Sequence, residues 1–155
     1  MTSQHESFLR RAIQKAEESV KQGGFPAGAV VVTNNRIIGE GVSVGNMLHD
    51  PTSHGEMAAI RDACKNLSVS DLSGAVLYAS MQPCMMCFGA AMWGGISEIV
   101  YACAMGNVSP EYYGGHYDAK SLTTQLLRPI KLTHFLDLEE ESLGIVRHWE
   151  LSLNK

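Results

Sequence analysis

His54-Gly55-Glu56 and Pro83-Cys84-Met85-Met86-Cys87 carry the residue types and spacings in this chain that are suited to chemistry. One imidazole and two thiols are donors that zinc favours, and three protein ligands leave the fourth tetrahedral position open, as in catalytic rather than structural zinc sites. Cys84 and Cys87 stand at i and i+3 in the first turn of an expected helix and share a face. The positive end of that helix favours the thiolate form that binds metal. Glu56 lies two residues past His54, so it points beside the metal rather than at it. Zinc lowers the pKa of a bound water from 15.7 to about 7. A carboxylate beside such a water can take its proton and return it to a leaving group, which is hydrolysis by general acid–base catalysis.

Other readings of the same residues explain less. A redox Cys-x-x-Cys pair leaves His54 and Glu56 without a role. A closed structural zinc site needs a fourth ligand, and Cys103, His49 and His116 do not have ligand-like spacing. His5, His134 and His148 read as surface or hydrogen-bonded residues.

The elements that must position these groups follow from periodicity. Leu9, Ile13, Ala16 and Val20 recur at helical spacing, so residues 6–22 are predicted to form a helix that Gly23-Gly24 ends. Strands over 29–32 and 36–39 flank Asn34-Asn35, a hairpin signal. Residues 45–53 read as a loop with a turn at Asp50-Pro51-Thr52. His54 opens a helix to about Asn66, and 75–79 reads as a buried strand. Pro83 starts a helix that Gly94-Gly95 stops. A strand over 96–102 is followed by a Gly/Tyr-rich loop over 105–117, which reads first as a plain surface loop; its Tyr112, Tyr113 and Tyr117 give a lid or a contact between copies as the second reading. A helix over 118–127, a strand over 130–135 and a last helix over 138–151 complete the order. The acidic run 137–141 reads as a helix start. Alternating strands and helices after a hairpin imply an α/β fold of three layers, α/β/α, around one central mixed sheet.

The 155 residues suit a single domain spanning 1–155. Apolar residues make up 45% and charged residues 18%, which is the balance of a globular chain rather than a disordered one. The net charge of −4 and pI of about 5.8 give no footprint for a polyanion, so a nucleic-acid partner is not expected. No apolar run is long enough to span a membrane, and the first residues lack a signal-peptide layout. The expected setting is cytoplasmic, with Cys64 and Cys103 reduced.

The pattern H-x-E…P-C-x-x-C is that of zinc deaminases acting on nucleobases, and the chain resembles the cytidine-deaminase-like superfamily well beyond it. The stretches Phe25-Pro26-Ala27-Gly28-Ala29-Val30-Val31-Val32 and His49-Asp50-Pro51-Thr52-Ser53-His54 are similar to those of bacterial guanine deaminases and tRNA adenosine deaminases. The run Cys87-Phe88-Gly89-Ala90-Ala91-Met92-Trp93 looks most like the guanine deaminases. Gly55 is the residue that fungal cytosine deaminases carry. The resemblance implies zinc on His54, Cys84 and Cys87, with Glu56 moving protons. It also implies a homodimer and a small nucleobase-like substrate, guanine first, with cytosine or nucleoside deamination, or deamination of adenosine in tRNA, as the alternatives. A catalytically silent, zinc-stabilised binding domain is the reading from another class, and the presence of Glu56 argues against it. Pro26, Ala27, Gly55, Gln82 and Trp93 are expected around the base. Ser43 takes the place of an Asn that reads the base in these families, with Asn46 as a substitute. Gln82 stands where a Glu is usual, and Asn107 falls near an acidic proton-shuttling position that Glu111 or Asp118 would have to fill.

Overall fold

In the computed structural model, which describes residues 2–154, five strands form one sheet in the order β2-β1-β3-β4-β5. Met1 and Lys155 lie outside the described residues. Helix α1 (Thr2–Lys21) precedes a hairpin of β1 (Phe25–Thr33) and β2 (Arg36–Ser43). The turn residues Asn34 and Asn35 adopt φ of 50° and 60°, the left-handed pair that matches strand twist in a two-residue hairpin. After the short α2 (Gly45–Leu48) come α3 (Gly55–Leu67), β3 (Val76–Met81), α4 (Met85–Gly94) and β4 (Glu98–Cys103). The chain ends with α5 (Ala119–Thr123), β5 (Lys131–His134) and α6 (Glu139–Ser152). β1 is antiparallel to β2 and β3, while β3, β4 and β5 run parallel, so the sheet is mixed as expected.

Strand alternation builds the three layers. Ala29 and Val31 of β1, Leu77 and Ala79 of β3, and Ile99 and Tyr101 of β4 pack with Ala59 and Ala63 of α3 and Phe88 and Ala91 of α4. The intervening Val30, Val32, Tyr78, Val100 and Ala102 pack with Leu9, Ala12 and Ile13 of α1 and with Leu138 and Ile145. This period-2 split is what a sheet covered on both faces requires.

Three expectations need correction. Residues 45–53 are not all loop: a helical turn forms at 45–48 before Asp50, whose carboxylate accepts from the Thr52 N–H at 2.9 Å and hydroxyl at 2.7 Å. Pro83 does not begin α4; Cys84 is its N-cap, and Pro83 precedes it. The helix expected over 118–127 stops at Thr123. There the Thr123 hydroxyl accepts from the Ile130 N–H and donates to the Ile130 carbonyl, tying the chain down before a further turn forms.

Candidate active site

The parallel pair β3–β4 and the antiparallel β1–β2 bring four strand ends to one edge of the sheet. These are the carboxyl ends of β2, β3 and β4 and the amino end of β1. Crevices outside the carboxyl ends of parallel strands are where open α/β sheets place their sites. α3 reaches this edge because it lies directly on β2. A Cβ at Gly41 would stand 2.2 Å from the Gly55 carbonyl oxygen and 2.4 Å from the Ala59 nitrogen, so only glycine admits the helix this close.

His54 and Cys84 are the N-caps of α3 and α4, with matching extended backbones at φ −72°, ψ 162° and φ −72°, ψ 174°. Neither side chain caps its helix. Ordinary N-caps turn a side-chain oxygen back onto the first N–H groups; these two side chains turn instead toward each other. His54 Nδ1 lies 3.5 Å from Cys84 Sγ and 3.6 Å from Cys87 Sγ, and the three donor atoms are all within 4.8 Å of one another. A tetrahedral zinc with Zn–S of about 2.3 Å and Zn–N of about 2.0–2.1 Å has N···S edges of about 3.5 Å. Both N···S spacings therefore match those of a tetrahedral zinc, and Nδ1 is the nitrogen the tripod offers.

The electrostatics suit a cation. The Cys87 thiol and His54 beside Cys84 hold its thiol down to about 4 despite partial burial. The same contact with Cys84, reinforced by burial, pushes Cys87 up. His54 is raised by its contact with Cys84. Glu56 is 6% exposed, and burial followed by the negative charge of Cys84 lifts its carboxyl to about 7. A carboxyl near neutrality can both accept and release a proton at working pH.

A cavity of about 570 Å³ opens over His54, Glu56 and Cys84. Of the residues expected around a base, Ala27, Ser43 and Gln82 line it. Ser43, 7% exposed, ends β2, and its backbone N–H is held by Ser19 Oγ at 3.0 Å. Asn46 also lines the cavity and donates its amide N–H to the Gly23 carbonyl at 2.9 Å. The Gln82 side chain accepts from the Met105 N–H at 2.8 Å, so its amide serves the wall.

The remaining expected positions lie elsewhere. Pro26 is fully buried outside the cavity lining. Gly55 faces β1, where a Cβ would meet Gly28 Cα at 3.0 Å; its smallness admits α3 rather than a ligand. Trp93 is 83% exposed on α4 and does not line the cavity.

The aromatic wall comes from residues that sequence reasoning placed elsewhere or passed over: Phe25, Tyr112, Tyr113 and Trp149. Phe25 packs edge-on against Tyr112 and Trp149, each at 5.1 Å between centroids. Tyr112 and Tyr113 stood out as aromatics in a glycine-rich loop; for Trp149, nothing local signals that α6 returns to this edge. Glu111 lines the cavity, whereas Asp118 caps α5 outside it, accepting from the Lys120 N–H. Asn107 donates at 2.8 Å to Glu139, away from the tripod.

Comparison with known proteins agrees with this arrangement. A guanine deaminase of Bacillus subtilis (strain 168) is 46% identical over 99 residues, 63% of this chain and 64% of that protein. A tRNA-specific adenosine deaminase of Buchnera aphidicola subsp. Baizongia pistaciae (strain Bp) is 40% identical over 101 residues, 65% of this chain and 62% of that protein. The chain thus matches less than two thirds of the length of either. A solved tRNA:A34 deaminase superposes with a TM-score of 0.78 at 28% identity, over 90% of this chain and 99% of that one. The solved Bacillus subtilis guanine deaminase superposes with a TM-score of 0.65 at 34% identity, over 95% and 94%. The family profile of the cytidine and deoxycytidylate deaminase zinc-binding region matches residues 2–103, which include His54, Glu56, Cys84 and Cys87. The paired helix N-termini, the tripod and strands β1 to β4 all fall within the matched residues, and the chain is a member of that zinc-binding deaminase family.

Proposed function

We propose that this chain is a zinc-dependent aminohydrolase that removes ammonia from a free nucleobase or related aminated heterocycle, guanine first. The observation that carries the reading is the buried carboxyl of Glu56 beside the His54–Cys84–Cys87 tripod, at the floor of a cavity with an aromatic wall. Zinc held by His54, Cys84 and Cys87 would supply an acidified water at neutral pH. Glu56 is the carboxylate placed to take a proton from the attacking water. It passes the proton to the ring nitrogen next to the carbon under attack, and then delivers one to the departing amine. Water adds its oxygen to the ring carbon as the C–N bond breaks, so the products are the oxo heterocycle and ammonia.

Guanine is favoured by the 46% identical guanine deaminase. The choice of a small substrate over tRNA is supported by charge. The described residues lining the cavity include Asp50, Glu56 and Glu111 but no Lys or Arg to meet a phosphate. The tRNA deaminase relatives keep that second reading open. We read Ser43 as the group that contacts the base. The four cysteines are free, which suits a reducing, cytoplasmic setting, and no described helix is long and apolar enough to cross a membrane. A homodimer is part of the reading: Met85 and Trp93, eight residues apart on α4, are 55% and 83% exposed and offer an apolar stripe to a second copy.

Glu56→Gln tests the chemistry. The variant is expected to bind zinc as the unchanged chain does and to lose at least ~100-fold in ammonia release. Unchanged zinc with an unchanged rate would mean that another group moves the protons.

A further inference from the structure

The loop that presents Cys84 is gripped on both sides by a segment distant in sequence. Tyr113 donates its hydroxyl to the Gln82 carbonyl at 2.7 Å, two residues before Cys84. The Met85 N–H, just after Cys84, donates to the Tyr117 hydroxyl at 2.9 Å. The Gln82 side chain is held by the Met105 N–H at 2.8 Å and its own N–H by the Cys103 carbonyl, also at 2.8 Å. Four hydrogen bonds thus hold Gln82, by backbone and side chain, and Met85, the first residue of α4, on either side of Pro83 and Cys84.

The tyrosines are suited to this. Tyr113 is 9% exposed and lines the cavity together with Gln82, whose carbonyl accepts from its hydroxyl. Tyr117 is half-buried. Gly114 and Gly115 between them adopt φ of 75° and 147°, a backbone that turns the chain so both rings return to the same loop. The Met85 N–H is one of the α4 donors that no residue of the helix can satisfy, and Cys84 as N-cap leaves it open because its side chain faces His54.

We propose that Tyr113 and Tyr117 are positioning residues for the metal ligand Cys84, a clasp that holds its thiolate at the spacing zinc requires. Both lie beyond residue 103, where the family match ends, so this chain sets its metal affinity partly with its own later segment. The inference rests on the metal-site reading and not on the identity of the substrate. Groups that orient metal ligands from behind typically change metal affinity 10–100-fold when removed.

The test uses the full chain loaded with cobalt(II), whose thiolate charge-transfer and d–d bands report ligand geometry. The double variant Tyr113→Phe/Tyr117→Phe is expected to release metal to a chelator at least ~10-fold faster, with shifted bands, and each single variant to fall between. Tyr78→Phe, which removes a hydroxyl bonded to His5 on the other face of the sheet, is expected to release metal as the unchanged chain does. If the double variant unfolds, the single variants carry the comparison. Release and spectra within twofold of the unchanged chain in all of them would overturn the clasp alone. An unchanged chain that takes up no cobalt would overturn the metal site as well.

Discussion

At the scale of single residues, the decisive feature is two helix N-caps that do not cap. His54 and Cys84 occupy positions where Ser, Asp or Asn would normally stabilise a helix by about 1 kcal/mol, and they give that up to converge on one point. The tripod and Glu56 were legible in the sequence because all four sit in two short segments whose local geometry follows from helix periodicity. Trp93 and Gly55 were not. Whether Trp93 or Trp149 meets the cavity depends on where the last helix returns, and the smallness of Gly55 is explained only by the fold, which presses Gly28 of β1 against it. Ser43 does line the cavity, and its short hydroxyl cannot supply the separate donor and acceptor of an amide. Ser43→Asn is therefore expected to change the ratio of kcat/KM between guanine and cytosine by ~5-fold or more, since pairing or stranding a buried polar group carries about 1–3 kcal/mol. Ratios within twofold of the unchanged chain would show that this position does not read the base.

At the scale of elements, strand order and facing were legible from alternation, because each strand lies between two apolar layers and its side chains sort by parity. Helix ends were less so: α5 is cut short by a side chain that bonds across seven residues. The acidic run at the start of α6 hid a structural centre. Glu139, 8% exposed, accepts from the Ala104 N–H at 2.8 Å, Asn107 Nδ2 at 2.8 Å and His134 Nε2 at 3.1 Å, joining α6 to the ends of β4 and β5. Only the phase of the helix decides that Glu139 rather than Glu140 or Glu141 turns inward. Burial pushes its carboxyl up, but these donors outweigh burial and hold it below the usual value. A depressed carboxyl stabilises the fold above its unfolded pKa, and that stability is lost as pH falls through the folded pKa. Glu139→Gln is accordingly expected to cost about 1–2 kcal/mol at neutral pH. Its deficit should shrink as pH falls below the usual carboxylate range and the native carboxyl becomes protonated. Urea unfolding of both chains from pH 7 to pH 3 checks this; a deficit that stays constant would contradict it.

At the scale of the whole molecule, the chain divides its labour. Residues 2–103 carry the tripod, Glu56 and strands β1 to β4, and are the part matched by the deaminase family. The facing wall, with Glu111, Tyr112, Tyr113, Trp149 and Leu153, comes from the segment after it. Part of the cavity is therefore built by residues outside the family match, which is why the chemistry could be read from sequence more fully than the shape of the pocket. The wall's aromatic surface and its lack of Lys and Arg favour a flat, unphosphorylated ring. The most direct measurement is ammonia release by the zinc-loaded chain from free guanine, cytosine and adenine, run beside inosine formation in tRNA, at low and moderate salt. The account predicts turnover of guanine at a rate little changed by salt, with no inosine formed in tRNA. Ammonia from none of the free bases, with salt-sensitive conversion of adenosine to inosine in tRNA, would contradict it.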